Sequence, residues 1–267
     1  SGDGADELFA GYRRYKLHLH EERFRQWLPL ALRRPLFGML GKIYPKLDWA
    51  PRFLRAKTTF QSLALDTVAA YHNSIAILRT DQRERLFSKA FKQRLNGYNS
   101  LQVFRRHGDK VGHLDPMKIA QYLDMKTYLV GDILTKVDRA SMAHSLEVRV
   151  PFLDHKLVEW AFPAQSSANL QNGIGKFTLK KVLEPYLPND VLYRKKMGFA
   201  VPLAEWFRGP LQQKLQQKLL SPAMVDSGYF NVGELKQLID DHKRGLKDNS
   251  APLWTLLMFA AFLERHS

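Results

Sequence analysis

The sequence predicts a mainly helical fold, and three observations support this. Apolar residues recur three or four positions apart through most of the chain, which is the period of an amphipathic helix. Most prolines fall between these periodic stretches, where proline starts or ends helices. Alternating, strand-like patterns are scarce. We therefore expect one helical domain over residues 1–267.

The periodic stretches define the expected helices in chain order. They cover residues 8–27, 30–43, 60–78, 117–146, 178–187, 211–220 and 232–239. Pro116, in the first turn after Asp115, should begin the long helix 117–146, and Asp154 should cap a further helix. The apolar run 251–263 is shorter than the ~18–20 residues that a membrane span needs, so we expect a buried terminal helix and no membrane partner.

Composition is that of an ordinary globular protein, with 45% hydrophobic and 25% charged residues. The absence of cysteine excludes disulfides, zinc–thiolate sites and thiol nucleophiles. A net charge of +15 suggests nucleic-acid binding, but the 41 lysines and arginines are scattered along amphipathic stretches without a dense tract. Scattered charge is typical of solvated helix faces, so we expect no nucleic-acid partner.

The sharpest chemical feature is the acidic turn, Ser1–Glu7, in which glycines separate acidic residues. Gly2 and Gly4 permit positive φ and close backbone approach. Asp6 can cap the following helix, leaving amide groups that could meet an anion, while the carboxylates could hold Mg²⁺ or an ammonium group. The same spacing also fits a plain capped helix after a flexible terminus, with Glu7 as a surface acid near the helix N-terminus.

Four later motifs help to decide between these interpretations. They are Asp132–Met142, Val148–Asp154, Gly175–Phe177 and Tyr193–Pro202. Together with the acidic turn, and in this order, they resemble the C-terminal part of glutamine-dependent asparagine synthetases. The resemblance runs from residue 1 to about residue 207, with a weaker match at 254–259.

The resemblance implies the helical C-terminal portion of an adenine-nucleotide α-hydrolase-like α/β synthetase domain. The parallel sheet, the pyrophosphate loop and the glutaminase domain of that family are missing from this chain. The implied reaction adenylates the aspartate side chain with MgATP and converts it to the amide with ammonia from glutamine. ATP and Mg²⁺ are the implied cofactors, the location is cytoplasmic, and a homodimer is an expected assembly of the full-length enzyme.

Catalytic and phosphate-binding roles also follow from the resemblance. Lys196 matches the lysine that stabilises the transition state, whereas a lysine in a loop is otherwise a solvated charge. Asp3 stands where relatives usually carry glutamate and would organise metal, pyrophosphate or substrate, although its side chain is one methylene shorter. Ser1, Gly2 and Gly4 would meet pyrophosphate. Lys176 would reach a phosphate or simply begin a helix.

The remaining roles concern the acceptor acid. By resemblance Asp6 would bind its ammonium group, and Lys126, Asp132 and Asp138 on the long helix would lie beside it. An alternative for Asp132 is a surface ion pair with Lys136, four residues on.

We also expect Glu147 and Arg149 to form a structural ion pair beside the Val148–Asp154 motif.

Two further interpretations of the whole chain stay open at this stage. The alternatives for the whole chain are a related amidotransferase acting on another carboxylic acid and a non-catalytic helical binding module.

Overall fold

The computed structural model describes residues 1–44, 56–194 and 201–266, and it confirms the mainly helical prediction. Its contacts divide the chain into two compact units. The first unit combines Ser1–Ser74 with Ser100–Lys196, and the second combines Ile75–Asn99 with Met197–Ser267. Within the described residues, no helix is long and apolar enough to cross a bilayer.

The elements of the described residues are as follows in chain order. The α-helices are α1 (Ala5–Leu8), α2 (Arg13–Trp27), α3 (Leu30–Ile43), α4 (Lys57–Leu63), α5 (Thr67–Ile75), α6 (Thr80–Leu86), α7 (Lys89–Leu95), α8 (Leu101–Gly108), α9 (Pro116–Lys126), α10 (Thr135–Met142), α11 (His155–Ala161), α12 (Ser166–Asn169), α13 (Phe177–Leu183), α14 (Asn189–Leu192), α15 (Leu203–Arg208), α16 (Gln212–Leu219), α17 (Pro222–Val225), α18 (Val232–Lys243) and α19 (Ser250–His266). A π-helical segment, Leu129–Leu134, joins α9 to α10, and a 3₁₀ turn, Pro151–Leu153, precedes α11. The strands β1 (Leu170–Gln171) and β2 (Ile174–Gly175) form an antiparallel hairpin.

Three predicted helices are interrupted in the structure. The stretch 8–27 breaks between α1 and α2, where Ala10 adopts a left-handed conformation with φ +56°. The stretch 60–78 divides into α4 and α5, and Asp66 accepts a hydrogen bond from the backbone of Ala69 at 2.9 Å at the start of α5. The stretch 117–146 contains the π-helical segment and ends at Met142. Apolar periodicity indicates which residues face inward, but it does not reveal these backbone breaks.

The predicted cap at Asp154 and the predicted helix start at Pro116 are confirmed. Asp115 accepts hydrogen bonds from the backbone of Met117 and Lys118 at 3.0 and 3.2 Å, and therefore fixes the start of α9. Asp154 does the same for α11, accepting hydrogen bonds from the backbone of Lys156 at 3.0 Å and Leu157 at 3.3 Å. Both helices consequently begin at a defined residue.

The first unit has a small apolar core beneath the acidic turn. Leu8 and Phe9 are buried against Ala161 of α11, and partly buried side chains from the 3₁₀ turn, α11 and α13 complete this cluster. Phe9 meets Phe152 edge to face with ring centroids 6.1 Å apart. This packing holds the end of α1 against the segment that follows the Val148–Asp154 motif.

The second unit has a larger core built from α6 and α15–α19. Its fully or nearly fully buried side chains include the following: Leu86, Phe207, Leu215, Leu219, Met224, Leu235, Leu253, Leu256 and Ala260. The expected buried terminal helix is confirmed as α19, which buries Leu253, Leu256 and Ala260. None of the described residues proposed for chemistry lies in this core.

Candidate functional site

The acidic turn is held in place by close backbone packing. Gly4 is the N-cap of α1 with φ +88°, and a Cβ at this position would overlap the side chain of Leu153. The amino nitrogen of Ser1 donates to the carbonyl oxygen of Arg149 at 2.7 Å. The turn therefore lies directly on the Val148–Asp154 motif, which is about 150 residues away in sequence.

Asp6 forms an ion pair at the open side of this turn. Its Oδ2 lies 3.2 Å from Nζ of Lys176, and both side chains are about a quarter exposed. A Cβ at Gly11 would overlap both side chains, so only glycine leaves room for this pair. The prediction that Asp6 caps the helix is wrong, because it lies inside α1 and Gly4 occupies the N-cap.

The β-hairpin carries Lys176 to the acidic turn. The backbone nitrogen of Lys176 donates to the carbonyl oxygen of Phe9 at 2.8 Å. A Cβ at Gly175 would overlap the carbonyl oxygen of Ala10, so the two backbones are in direct contact. Lys176 has φ +57° and is the N-cap of α13, which also confirms the alternative that it begins a helix.

A second lysine lies one turn further along α13. Burial and the neighbouring Lys176 lower the pKa of Lys180. Its Nζ lies 5.2 Å from the ring centroid of Tyr193, the first residue of the lysine-containing motif. Lys176 and Asp6 thus form a paired ammonium and carboxylate, an arrangement that can bind an anion and an ammonium group at adjacent positions.

Asp3 lies at the start of the turn and is half-buried. The hydroxyl of Ser1 donates to its Oδ2 at 2.5 Å. Among the residues that the structure describes, no group of three or more His, Cys, Asp or Glu side chains could hold a metal ion. Asp3 could therefore contribute one ligand to a Mg²⁺ ion that phosphate oxygens also bind, but the described residues do not form a closed metal cage.

Glu7 is buried, with 1% of its surface exposed, so the interpretation of it as a surface acid is wrong. Tyr12 donates its hydroxyl to Oε1 of Glu7 at 2.7 Å. Burial raises the pKa of Glu7 above its ordinary value despite this hydrogen bond. The carboxyl group lies beneath the turn and not in the opening where Asp6 and Lys176 meet.

The other proposed acceptor-side residues have different surroundings. Nζ of Lys126 lies 5.6 Å from the ring centroid of Tyr122, and Asp138 is exposed with Arg139 at 4.0 Å. Asp132 forms no ion pair with Lys136 in the described part of the chain, because a π-helical segment turns residues four apart away from a common face. The binding roles of Lys126, Asp132 and Asp138 stay predictions.

Two further expectations have different outcomes. Arg149 and Glu147 form the expected ion pair at 2.8 Å on the surface. Lys196 lies outside the described residues, so its expected transition-state role stays a prediction.

Comparisons with known proteins identify the class of protein. The asparagine synthase family model matches residues 1–264, and this chain therefore belongs to that family. Asparagine synthetase [glutamine-hydrolyzing] 1 of Bacillus subtilis is 30% identical over 259 residues, which is 97% of this chain and 39% of that protein. Asparagine synthetase [glutamine-hydrolyzing] 3 of the same organism is 45% identical over 78 residues, 29% of this chain and 12% of that protein.

A more distant relative carries a different name. Amidase chyE of Penicillium rubens is 23% identical over 261 residues, which is 90% of this chain and 37% of that protein. This chain thus spans less than half the length of these relatives. No solved structure matches it significantly.

The sequence contained a signal for the hairpin that our helical interpretation missed. Asn172 and Gly173 stand between β1 and β2, and Asn-Gly is the preferred pair for a two-residue hairpin turn. Both residues have positive φ, at 49° and 76°, as that turn requires. The hairpin places Lys176 where it meets Asp6.

Proposed function

We propose that this chain forms the acceptor side and part of the pyrophosphate side of the active site in an ATP-dependent amide-forming ligase. The proposed acceptor is aspartate, and the proposed nitrogen source is ammonia from glutamine. The observation that carries the proposal is the pairing of Asp6 with Lys176, 3.2 Å apart, where three motifs meet. Membership of the asparagine synthase family supports the same reaction class.

In this reaction an oxygen of the acceptor carboxylate attacks the α-phosphorus of ATP, and the bond to pyrophosphate breaks. Ammonia then attacks the activated carbonyl carbon, and AMP leaves. Pyrophosphate gains negative charge as it departs, and fixed donors near that charge can lower the barrier by ~3–4 kcal/mol each. We assign this stabilisation to Lys196, with Lys176, Ser1 and the amides of Gly2 and Gly4 as further phosphate contacts.

The acceptor also requires a binding group for its α-ammonium. We assign this role to Asp6, whose carboxylate would exchange its contact with Lys176 for the substrate ammonium. Lys176 would then be available to the phosphate, so acceptor binding and phosphate binding would support each other. Bound Mg²⁺ would neutralise phosphate charge, with Asp3 as the protein ligand closest to the opening of the turn.

The experiment compares variants of the full-length protein by aspartate-dependent pyrophosphate release. Asp6→Asn should raise KM for the acceptor, whereas Glu159→Gln, which changes an exposed carboxylate of the same unit, should leave it unchanged. Lys196→Ala should reduce turnover by about 10²–10³-fold and Lys195→Ala only mildly. Equal, small effects of the two lysine variants would contradict the role of Lys196.

The second candidate function is amidation of a different carboxylic acid. Its support is the similarity of nearly the whole chain to a protein named as an amidase. A panel of carboxylic acids, each assayed for ATP-dependent pyrophosphate release, separates the two candidates. Release with another acid but not with aspartate would favour this second function.

Cytoplasmic location and homodimer formation remain expectations for the full-length protein, and size-exclusion chromatography with light scattering would test homodimer formation.

A further inference from the structure

Helix α9 supports the acidic turn through Gln121. This side chain is fully buried, and its Nε2 donates to the carbonyl oxygens of Glu7 at 2.6 Å and Leu8 at 3.0 Å. The last carbonyl groups of a helix have no partner within it, and a helix of one turn is not stable by itself. Gln121 therefore satisfies the end of α1 directly, close to Asp6.

A second connection from α9 begins at Asp124, which is also fully buried. Its Oδ2 accepts hydrogen bonds from the hydroxyls of Tyr15 and Tyr71, both at 2.6 Å, and from Nη2 of Arg14 at 2.6 Å. One carboxylate oxygen thus joins α2 and α5 to α9. A charged acceptor with three donors is a strong and directional anchor.

This anchor reaches the acidic turn through Arg14. The guanidinium carbon of Arg14 lies 3.8 Å from the ring centroid of Tyr12. Tyr12 in turn donates its hydroxyl to Glu7 at 2.7 Å. Asp124, Arg14, Tyr12 and Glu7 therefore form a continuous chain of contacts that ends on the residue next to Asp6.

Both connections retain a buried polar atom without a partner. Oε1 of Gln121 and Oδ1 of Asp124 have no hydrogen-bond partner among the described residues. Such atoms are unfavourable in a protein interior, and apolar side chains would fill the same space without that disadvantage. Packing alone does not account for these two side chains, whereas holding the turn in one orientation does.

We propose that Gln121 and Asp124 are positioning residues that fix the orientation of the Asp6 carboxylate for the acceptor acid. This inference rests on the proposed function. Neither side chain reaches the opening of the site, so both act through α1. Lys176 contacts Asp6 directly and Gly175 packs on the backbone of Ala10, so the hairpin also constrains the orientation of Asp6.

The test uses Gln121→Met and Asp124→Asn in the full-length protein. Hydrogen–deuterium exchange should become faster in peptides that cover residues 5–12. Where aspartate-dependent pyrophosphate release is present, KM for the acceptor should rise about tenfold, as expected for one lost hydrogen bond, with a smaller change in kcat. Glutaminase activity should be unchanged, because it does not use this turn.

A matched control separates positioning from general loss of stability. Leu219→Ala removes a fully buried side chain of the second unit and should lower Tm without accelerating exchange in residues 5–12. A KM increase in this control equal to that of the α9 variants would overturn the inference. Unchanged exchange in residues 5–12 of the α9 variants would overturn it as well.

A milder variant keeps the inference testable if the α9 variants do not fold. Tyr12→Phe retains the ring beneath Arg14 and removes only the hydroxyl that binds Glu7. It should also accelerate exchange in residues 5–12, and an unchanged rate would count against the Asp124 connection. If the wild-type protein shows no aspartate-dependent pyrophosphate release, the proposed function fails, and the exchange measurement still decides whether α9 holds the turn.

Discussion

Acidification should destabilise the first unit through His18. This imidazole is buried in α2 with 3% of its surface exposed, and its Nε2 has no hydrogen-bond partner among the described residues. Burial and the positive charge of Arg25 lower the pKa of His18 from 6.5 to about 3. Glu22 lies 3.8 Å away but is already paired with Arg25 at 2.5 Å, so it does not offset the cost of charging the ring.

The sign and size of the effect follow from proton linkage. The pKa is depressed in the folded state, so the unfolded chain binds the proton more tightly, and stability falls as the pH drops below 6.5. Between about pH 7.5 and about pH 5, a histidine with these two pKa values lowers the free energy of unfolding by about 2 kcal/mol. His18→Phe removes this contribution and keeps the aromatic contact with Tyr71, whose ring centroid is 5.2 Å away.

The assay is urea denaturation of the wild-type protein and the variant at both pH values. We expect the acid-induced loss of stability to be about 2 kcal/mol smaller in His18→Phe than in the wild type. His20→Gln is the control, because His20 is exposed on the same helix and stays in water when the protein folds. Parallel pH dependence of wild type and His18→Phe would refute the reasoning.

Two further predictions concern the acidic turn. Gly175→Ala should destabilise the protein by about 1–3 kcal/mol, because the added Cβ meets the backbone of Ala10. Gly38→Ala on the open side of α3 is the control and should stabilise the protein by about 0.5–1 kcal/mol. Thermal denaturation that shifts Tm in the same direction for both variants would contradict this. The raised pKa of Glu7 implies a contribution to stability that is present at low pH and lost as the pH rises through that pKa. Glu7→Gln should therefore be more stable than the wild type at about pH 8, and this difference should disappear near pH 4.

The helical class of the fold was predictable because the apolar period depends on side chains alone. The breaks were not, since they depend on backbone conformations that the local sequence does not demand. Ala10 and Lys176 have φ of +56° and +57°, although neither residue favours the left-handed region. Tertiary contacts impose these angles where the acidic turn and the hairpin meet. Asn172-Gly173, in contrast, is a local signal and could have predicted the hairpin.

The candidate site was predictable only in part for a related reason. The motifs identified Asp6 and Lys176 separately, but only the fold shows that they form an ion pair. Asp124 gave no signal, because an acidic residue in an amphipathic helix is usually solvated. Its burial depends on donors from α2 and α5, which are more than fifty residues away in sequence. Such a network can be recognised only when three helices are seen together.

Helix α10 gives the last prediction, because none of its residues is buried. Apolar side chains around it are exposed, with Val130 and Met142 at 55% and Leu146 at 60%. A helix stabilised by so little packing exchanges its amide hydrogens quickly. The chain spans 39% of the length of its Bacillus subtilis relative, and we expect the rest of the full-length protein to cover this helix. Hydrogen–deuterium exchange over residues 130–146 should therefore be markedly slower in the full-length protein than in the 267-residue chain, and exchange over α19 should be the same in both. Equal rates over residues 130–146 would show that α10 stays exposed and that its apolar side chains have another role.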